Sequence, residues 1–225
     1  MRYDRYILVA FFRFLLLLPA IAFSQTEQGT PFIRNYPPTE YGESSGNWAI
    51  AQDQRGIMYF GNANSVLEYD GNKWRPISVS NNSVVRSIAI DSSGIVYIGA
   101  VGEFGYLSPN EKGFMTYHSL VDKLPKEEQD FADVWKTYAT PNGVYFQTFT
   151  KLIRIKNNTV KIWKPENAFH FSFFVRNRFY INERGQGLKE LINDKLRLVK
   201  SGSAFSCQRI YSMLPYTGES ILMAT

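Results

Sequence analysis

The feature that most constrains this chain is a frame of residues that returns thirty-eight positions after it first appears. Ile50, Asp53, Gly56, Tyr59 and Gly61 recur as Ile88, Asp91, Gly94, Tyr97 and Gly99. In each copy an Asp can accept hydrogen bonds from backbone N–H groups two or three residues on, and a Gly can take the positive φ that closes the turn. The turn sits between short runs rich in β-branched and aromatic residues, which suit a pleated, half-buried surface. Val66 to Tyr69 reads as a third strand, Asp70-Gly71-Asn72 as a tight turn, and Lys73 to Ile77 as a fourth strand.

Looser copies follow. Pro141-Asn142-Gly143 leads into Val144, Tyr145 and Phe146; Phe179, Tyr180 and Ile181 lead through Gly185 and Gly187 to Leu188 and Leu191; Gly218 to Thr225 resembles the turn and second strand of a fifth copy. A unit near 40 residues with four strands is the signature of a β-propeller blade, whose sheet cannot bury both faces unless neighbours stack around an axis. The expectation is an all-β chain: a β-propeller of four-stranded antiparallel blades, incomplete, with about four and a half blades present. Repeats are expected at 48–77, 84–117, 134–163 and 169–199, with a fifth starting at Ile210, so that 47–225 is the front part of a longer propeller. Leu120 to Asp130, with its charges and Pro125, interrupts the period and reads as a solvated surface excursion.

Residues 1–24 have the grammar of an export signal. Arg2 and Arg5 precede an apolar stretch from Ile7 to Leu18, and Ala22-Phe23-Ser24 offers a small-x-small cleavage site. The apolar run is shorter than the roughly 20 residues a spanning helix needs and carries Arg13 inside it. Residues 25–46, rich in Pro and Gly, read as a linker or a lead-in strand. The formal charge of +5 falls to +3 once Arg2, Arg5, Arg13 and Asp4 are set aside, and the remaining basic residues are scattered. That is too mild to argue for nucleic acid. The single cysteine, Cys207, rules out an internal disulfide.

Catalytic patterns are sparse. His118 and His170 are the only histidines, with no metal-ligand spacing around them, and no cofactor or metal is expected. Gly185-Gln186-Gly187 lacks the strand-then-helix context of a phosphate-binding loop. No catalytic residue is assigned in this stretch. Binding residues are easier to place, because strands alternate direction and the loops between second and third strands share a face with the starts of the first strands. Five residues before the Asp53 position stands Trp48, with Arg86, Trp135 and Phe169 at the corresponding places. Trp48, Arg86 and Trp135 are expected to ring one mouth of the channel, offering flat aromatic faces and a rigid guanidinium fork to a sugar or other polar planar ligand. Asn62, Asn64 and Glu103 come from loops on the same face, as do Thr148, Lys151, Glu183 and Arg184. A purely structural reading stands beside this one: the tryptophans wedge between blades and Arg86 pairs with a neighbouring acid.

The run from Asn47 to Asn62, NWAIAQDQRGIMYFGN, followed by Leu67 to Trp74, LEYDGNKW, resembles the opening blades of the two-component-regulator propeller family. The likeness is strong over the first two blades and weak beyond them. The resemblance implies a bacterial envelope sensor: an exported propeller of seven or more blades, a small three-tyrosine β domain, one membrane helix, and a cytoplasmic histidine kinase or helix-turn-helix output. It implies a small polar or carbohydrate ligand on the periplasmic side, a homodimer formed through C-terminal regions, and membrane attachment only through a C-terminal helix. A kinase, where present, would make the longer protein an enzyme. Two rival readings are a carbohydrate-active propeller lyase or glycosidase, and a surface binding module with no output.

Overall fold

A computed structural model describes Gly29 and residues 32–225. The export-signal reading of residues 1–24 lies outside the described residues. The chain divides into two units, Met1–Asn35 and Tyr36–Thr225. In the first, the described residues carry no regular secondary structure. The second opens with a four-residue helical turn, α1 (Pro38–Tyr41), with Pro at its start and Gly42 in the left-handed region at its end. Tyr36 and Tyr41 from this segment close over Trp74, which also stacks on Tyr69 with ring centroids 4.3 Å apart. This turn occupies the place where a linker or lead-in strand was expected, and no strand precedes Asn47 among the described residues.

Four antiparallel sheets of four strands follow in sequence order, each a simple meander. The first blade is β1 (Asn47–Gln52), β2 (Met58–Asn62), β3 (Val66–Tyr69) and β4 (Trp74–Ile77). The second is β5 (Val85–Ile90), β6 (Val96–Ala100), β7 (Glu103–Pro109) and β8 (Met115–Ser119). The third is β9 (Lys136–Thr140), β10 (Gly143–Gln147), β11 (Leu152–Lys156) and β12 (Thr159–Trp163). The fourth is β13 (Phe169–Val175), β14 (Arg178–Glu183), β15 (Gly187–Ile192) and β16 (Lys195–Leu198). A two-stranded sheet of β17 (Ser212–Pro215) and β18 (Ile221–Ala224) begins the fifth. First strands of successive blades lie side by side, β1 against β5, β5 against β9, β9 against β13 and β13 against β17, which is propeller packing.

The repeated frame has a direct physical cause. Asp53 Oδ1 accepts the backbone N–H groups of Arg55 (2.9 Å) and Ile57 (3.0 Å), while Gly56 adopts φ +86°. Asp91 does the same for Ser93 and Ile95 around Gly94. Asn110 repeats the arrangement for Lys112 and Phe114 around Gly113, between the third and fourth strands of the second blade. The glycines that end the frame answer to the next blade: a Cβ on Gly61 would lie 2.9 Å from Val85, and one on Gly99 would lie 2.6 Å from Val134. In the third blade Gln147 holds that place, and its amide bridges the seam to His170 O (2.8 Å) and the Ser172 N–H (3.3 Å). Asn182 makes the next seam through Gln208 O (2.8 Å). A small residue in the first two seams and a hydrogen-bonding amide in the later ones explain why the later copies look degenerate. In the fourth blade a tight two-residue turn with both φ positive, Arg176-Asn177, replaces the Asp-x-x-Gly corner, while Asn157-Asn158 and Asn193-Asp194 make similar turns between the third and fourth strands of the third and fourth blades.

The core is a series of layers between blades. Tyr59, Val66, Val85 and Ile98 fill the first seam; Phe104, Val134, Phe146 and Ile153 the second; Tyr145, Leu152, Phe169 and Ile181 the third; Phe173, Leu188, Ile210 and Met213 the fourth. The excursion after β8 belongs to the second layer. It forms two short 3₁₀ turns, Val121–Lys123 and Lys126–Glu128, but Leu120, Leu124 and Phe131 are buried against Phe104. This corrects the reading of a solvated loop: three apolar side chains anchor it and Glu128 turns inward to Lys151, while Asp122, Lys123, Lys126, Glu127 and Asp130 are exposed.

Candidate functional site

One face of the second unit collects the starts of the first strands and the loops between second and third strands. The first-strand starts are irregular there. Pairing slips at Trp48 in the first blade and at Arg86 in the second, each an extra residue between Asn47 and Ala49 or between Val85 and Ser87. A bulge re-aims the side chain it carries. Here it turns Trp48 and Arg86 toward each other, and Trp135, just before β9, completes the group. The Arg86 guanidinium carbon lies 4.0 Å from the Trp48 ring centroid and 4.8 Å from that of Trp135. Each such contact contributes about 0.5–2 kcal/mol depending on its shielding from water.

Arg86 is also an ion-pair partner, its Nε donating to Asp133 Oδ1 at 2.6 Å. Its Nη1 is buried and makes no hydrogen bond with the described residues. Asp133 comes from the end of the excursion, where Val101 and Asp133 form an isolated bridge. The sandwiched cation and the paired acid are therefore both present, each holding Arg86 from a different side. Trp48 keeps 55 % of its surface exposed.

From Trp135 the aromatic surface continues across the later blades. Phe149, in the loop after β10, stacks on Trp135 at 5.5 Å, and Phe171 lies 6.3 Å away. His170 packs on Phe171 at 4.4 Å and meets Tyr211 edge-on at 5.5 Å. The fourth-blade bulge carries His170 and Phe171, between the pairs Phe169–Glu183 and Ser172–Ile181. Phe169 is fully buried in the third seam, so Phe171 and not Phe169 stands at the mouth in that blade. Phe149, Phe171 and Tyr211 were missed by sequence reasoning because their placement depends on bulges and loop shape. Beside Trp135 a hollow of about 270 Å³ is lined by Asp130, Asp133, Thr148, Phe149 and Thr150. A larger cleft, about 480 Å³, is elsewhere: it lies between the Asp53 and Asp91 corners, on the opposite face, and its charged groups Arg55 and Arg75 are paired with Asp53 and Glu68.

Several loop residues on the mouth face build the loops. Asn62 is fully buried and donates to Ser44 O (2.6 Å) and Asn47 Oδ1 (2.8 Å), fixing the approach to β1. Asn64 is exposed, with its amide donating to Glu43 Oε2 (3.2 Å). Glu103 is buried and accepts from Ser119 Oγ (2.7 Å) and Tyr117 Oη (3.1 Å). Burial, and then the Glu103 charge, push the Tyr117 phenol far above its ordinary range. Thr148 Oγ1 accepts the N–H of Lys151 (2.9 Å) and shapes the loop that presents Phe149. Lys151 Nζ donates to the carbonyls of Glu128 (2.8 Å) and Asp130 (3.0 Å), tying the excursion to the third blade. Glu183 is buried, accepting from the Glu166 N–H and from Lys189 Nζ, while Arg184 is exposed. The structure thus brings together Trp48, Arg86 and Trp135; Asn62 and Glu103 stand behind the loops.

Two cationic groups flank Phe171. Lys136 Nζ lies 4.8 Å over its ring, and burial lowers the ammonium below its ordinary range. His170 Nδ1 lies 3.1 Å from Ile210 O, which makes Nδ1 the protonated nitrogen. Burial lowers the imidazole below its ordinary range; the Ile210 hydrogen bond opposes this, and the positive charges of Arg184, Arg209 and Lys136 add to the lowering. Among the described residues no group of three or more His, Cys, Asp or Glu side chains could hold a metal ion, and no helix is long and apolar enough to cross a membrane.

The arrangement of radial sheets defines a β-propeller, and comparison with solved structures agrees. No protein-family model matches the chain, and no curated protein does. Virginiamycin B lyase from Staphylococcus aureus superposes with a TM-score of 0.56 at 12% identity, over 80% of this chain and 63% of that one. The WD40 β-propeller domain of Doa1 does so with a TM-score of 0.55 at 13% identity, over 74% of this chain and 57% of that one. The chain therefore spans under two thirds of the length of these propellers. Structural neighbours also include the extracellular domain assigned to a hybrid two component system from B. thetaiotaomicron, with a TM-score of 0.49 and 16% identity over 67% of this chain and 21% of that one.

Proposed function

We propose that this chain is the exported, ligand-sensing propeller portion of a membrane signalling protein, and that a small polar ligand such as a glycan fragment binds at the mouth. The observation that carries this reading is the Arg86 guanidinium held between Trp48 and Trp135, side chains from three successive blades. Holding the cation from both sides and by Asp133 fixes the two indoles at a set spacing before any ligand arrives, which lowers the ordering cost of binding. The exposed ring of Trp48 offers a flat apolar surface for the C–H face of a sugar, and the hollow beside Trp135, mostly apolar in its lining, adds carboxylates of Asp130 and Asp133 and hydroxyls of Thr148 and Thr150 for its hydroxyl groups.

Signal relay follows from differential affinity. A ligand that touches several blades at once favours the blade arrangement, and the dimer arrangement, in which those contacts are best made. The relay to a cytoplasmic kinase or helix-turn-helix output rests on the sequence resemblance of Asn47 to Trp74 and on the export signal. Reading the gene beyond the codon for Thr225 tests it. A membrane helix followed by kinase or helix-turn-helix patterns is the expected result; a stop codon after the last blade would overturn the relay.

A further inference from the structure

The Arg86 guanidinium has more donors than acceptors. A guanidinium carries five N–H groups, and here only Nε finds an acceptor among the described residues, Asp133 Oδ1 at 2.6 Å. Nη1 is buried without a hydrogen bond. The indole faces of Trp48 and Trp135 answer its charge but not its N–H directions. Nη2 also lacks an acceptor among the described residues but is not buried, so it opens to water. Asp133 is the counterpart: Arg86 uses its Oδ1, while Oδ2 has no protein donor among the described residues and is not buried either. The backbone on both sides of Asp133 is clamped to the second blade, with Gly102 N–H donating to Ala132 O and Val134 N–H to Ala100 O, each at 3.0 Å.

One fixed ion pair therefore presents an open donor and an open acceptor beside a flat indole. That combination matches two neighbouring hydroxyl groups, one accepting from Nη2 and the next donating to Oδ2. Charge around the hollow beside Trp135 then decides what kind of molecule brings them. Asp133 and Arg86 cancel. Lys151, whose ammonium lies 5.9 Å from the Phe131 ring centroid, faces Glu128 at 3.1 Å. Asp130 lines the hollow too, is exposed, and its carboxylate makes no hydrogen bond or ion pair with the described residues. Two further cations of this face, Lys136 over Phe171 and Lys164 beside Glu128, do not line the hollow. The hollow keeps one negative charge without a partner, which places a ligand bearing a carboxylate or sulfate at a disadvantage.

We infer that Asp133 is a specificity-determining residue of the mouth: with Arg86 it reads two adjacent hydroxyl groups of an uncharged sugar, and with Asp130 it turns acidic sugars away. The inference rests on the reading of the mouth as a glycan site, and it names the charge of the ligand and the residues that set it.

Calorimetric titration of the purified protein with galactotetraose, mannotetraose, xylotetraose and tetragalacturonate tests this, repeated with Asp133→Asn, Asp130→Asn and Trp48→Ala. At least one neutral tetrasaccharide is expected to bind, at least tenfold more tightly than tetragalacturonate. Asp133→Asn retains an oxygen for Arg86 Nε. It should weaken the neutral sugar at least tenfold and narrow the gap to tetragalacturonate, with the melting temperature within a few degrees of wild type. Asp130→Asn removes a carboxylate that holds no other described residue, so it decides the matter even where Asp133→Asn unfolds. It should strengthen tetragalacturonate binding several-fold, an effect that shrinks with added sodium chloride, and leave the neutral sugar unchanged. Neutral binding that depends on Trp48 but is unaltered in Asp133→Asn would overturn the inference and leave the mouth reading intact. An unchanged preference in Asp130→Asn, or tetragalacturonate binding more tightly than every neutral probe, would overturn it as well. Binding of none of the four sugars would overturn the glycan reading, and the inference with it.

Discussion

The guanidinium of Arg86 lies 4.0 Å from the ring centroid of Trp48, although the two residues belong to different sheets. Both occupy the extra position of a bulge at the start of a first strand. A regular antiparallel pair would send these side chains into the seams, as it does for Val85. One additional residue per strand instead delivers an aromatic plane and a cation to the open face, where Trp135 adds the second plane. The same irregularity in two consecutive repeats links the repeat architecture to the candidate site.

The seam glycines give a prediction about stability. A Cβ on Gly99 would meet Val134 Cγ1 at 2.6 Å and Thr137 Oγ1 at 2.7 Å, in a spot where Ser87 Oγ is bound to Thr137 Oγ1 and Val134 O. Gly99→Ala should therefore destabilise the protein by about 1–3 kcal/mol through overpacking between blades. Urea unfolding followed by circular dichroism measures this; an unchanged midpoint would show that the seam can open without cost.

The excursion after β8 should depend on one lysine. Lys151 Nζ holds two excursion carbonyls and sits 3.1 Å from Glu128 Oε2, a charge contact rather than a well-directed hydrogen bond. Its side chain is only 8 % exposed. Lys151→Met should cost about 3 kcal/mol, the low end for breaking a buried pair, because Glu128 retains Lys164 at 2.5 Å. Limited proteolysis should then cut between Leu120 and Asp133 faster than in wild type.

A third prediction concerns acid. Hydrogen bonds from Arg154 and then Lys161 hold the Asp194 carboxyl down at about 2, below its ordinary 3.8. A carboxyl whose value is lowered on folding contributes stability that is fully present above its unfolded value and is lost as pH falls through the folded one. The wild-type protein should lose this contribution as pH drops from about 4 to about 2. Asp194→Asn keeps a residue tolerant of the positive φ of that turn. It should be slightly less stable at neutral pH, by under about 1 kcal/mol given the exposure of the pair, with a flatter decline below pH 4. Melting temperatures taken across that range check both parts.

How much of this was legible in the sequence differs by feature. Asp53, Gly56 and Gly61 announce a blade because their roles are local: an Asx turn and a seam that admits no side chain. Counting from that corner also puts Trp48, Arg86 and Trp135 at matching places, and the Arg86 guanidinium meets both rings. The count misplaced the fourth blade, where Arg176-Asn177 makes a shorter turn and the bulge holds two residues, so Phe169 falls into the core and Phe171 comes to the surface. Asn62 and Glu103 show a different limit. A polar residue in a loop reads the same whether it grips a ligand or caps backbone groups, and only the fold shows that these two are buried in loop-building hydrogen bonds. The Asn110 corner also repeats the Asp53 geometry, with Asn in place of Asp, and passed unnoticed for that substitution. Leu120, Leu124 and Phe131 were hidden by the charges between them.

The account stands most directly on Trp48. It is exposed, contacts Arg86 across a blade boundary, and contributes to no buried core layer. Calorimetric affinity of Trp48→Ala for neutral and acidic oligosaccharides, taken together with its melting temperature, is the decisive measurement. The predicted result is at least a tenfold loss of affinity with the melting temperature unchanged. Wild-type affinity combined with a large fall in melting temperature would assign Trp48 to packing and contradict the proposed site.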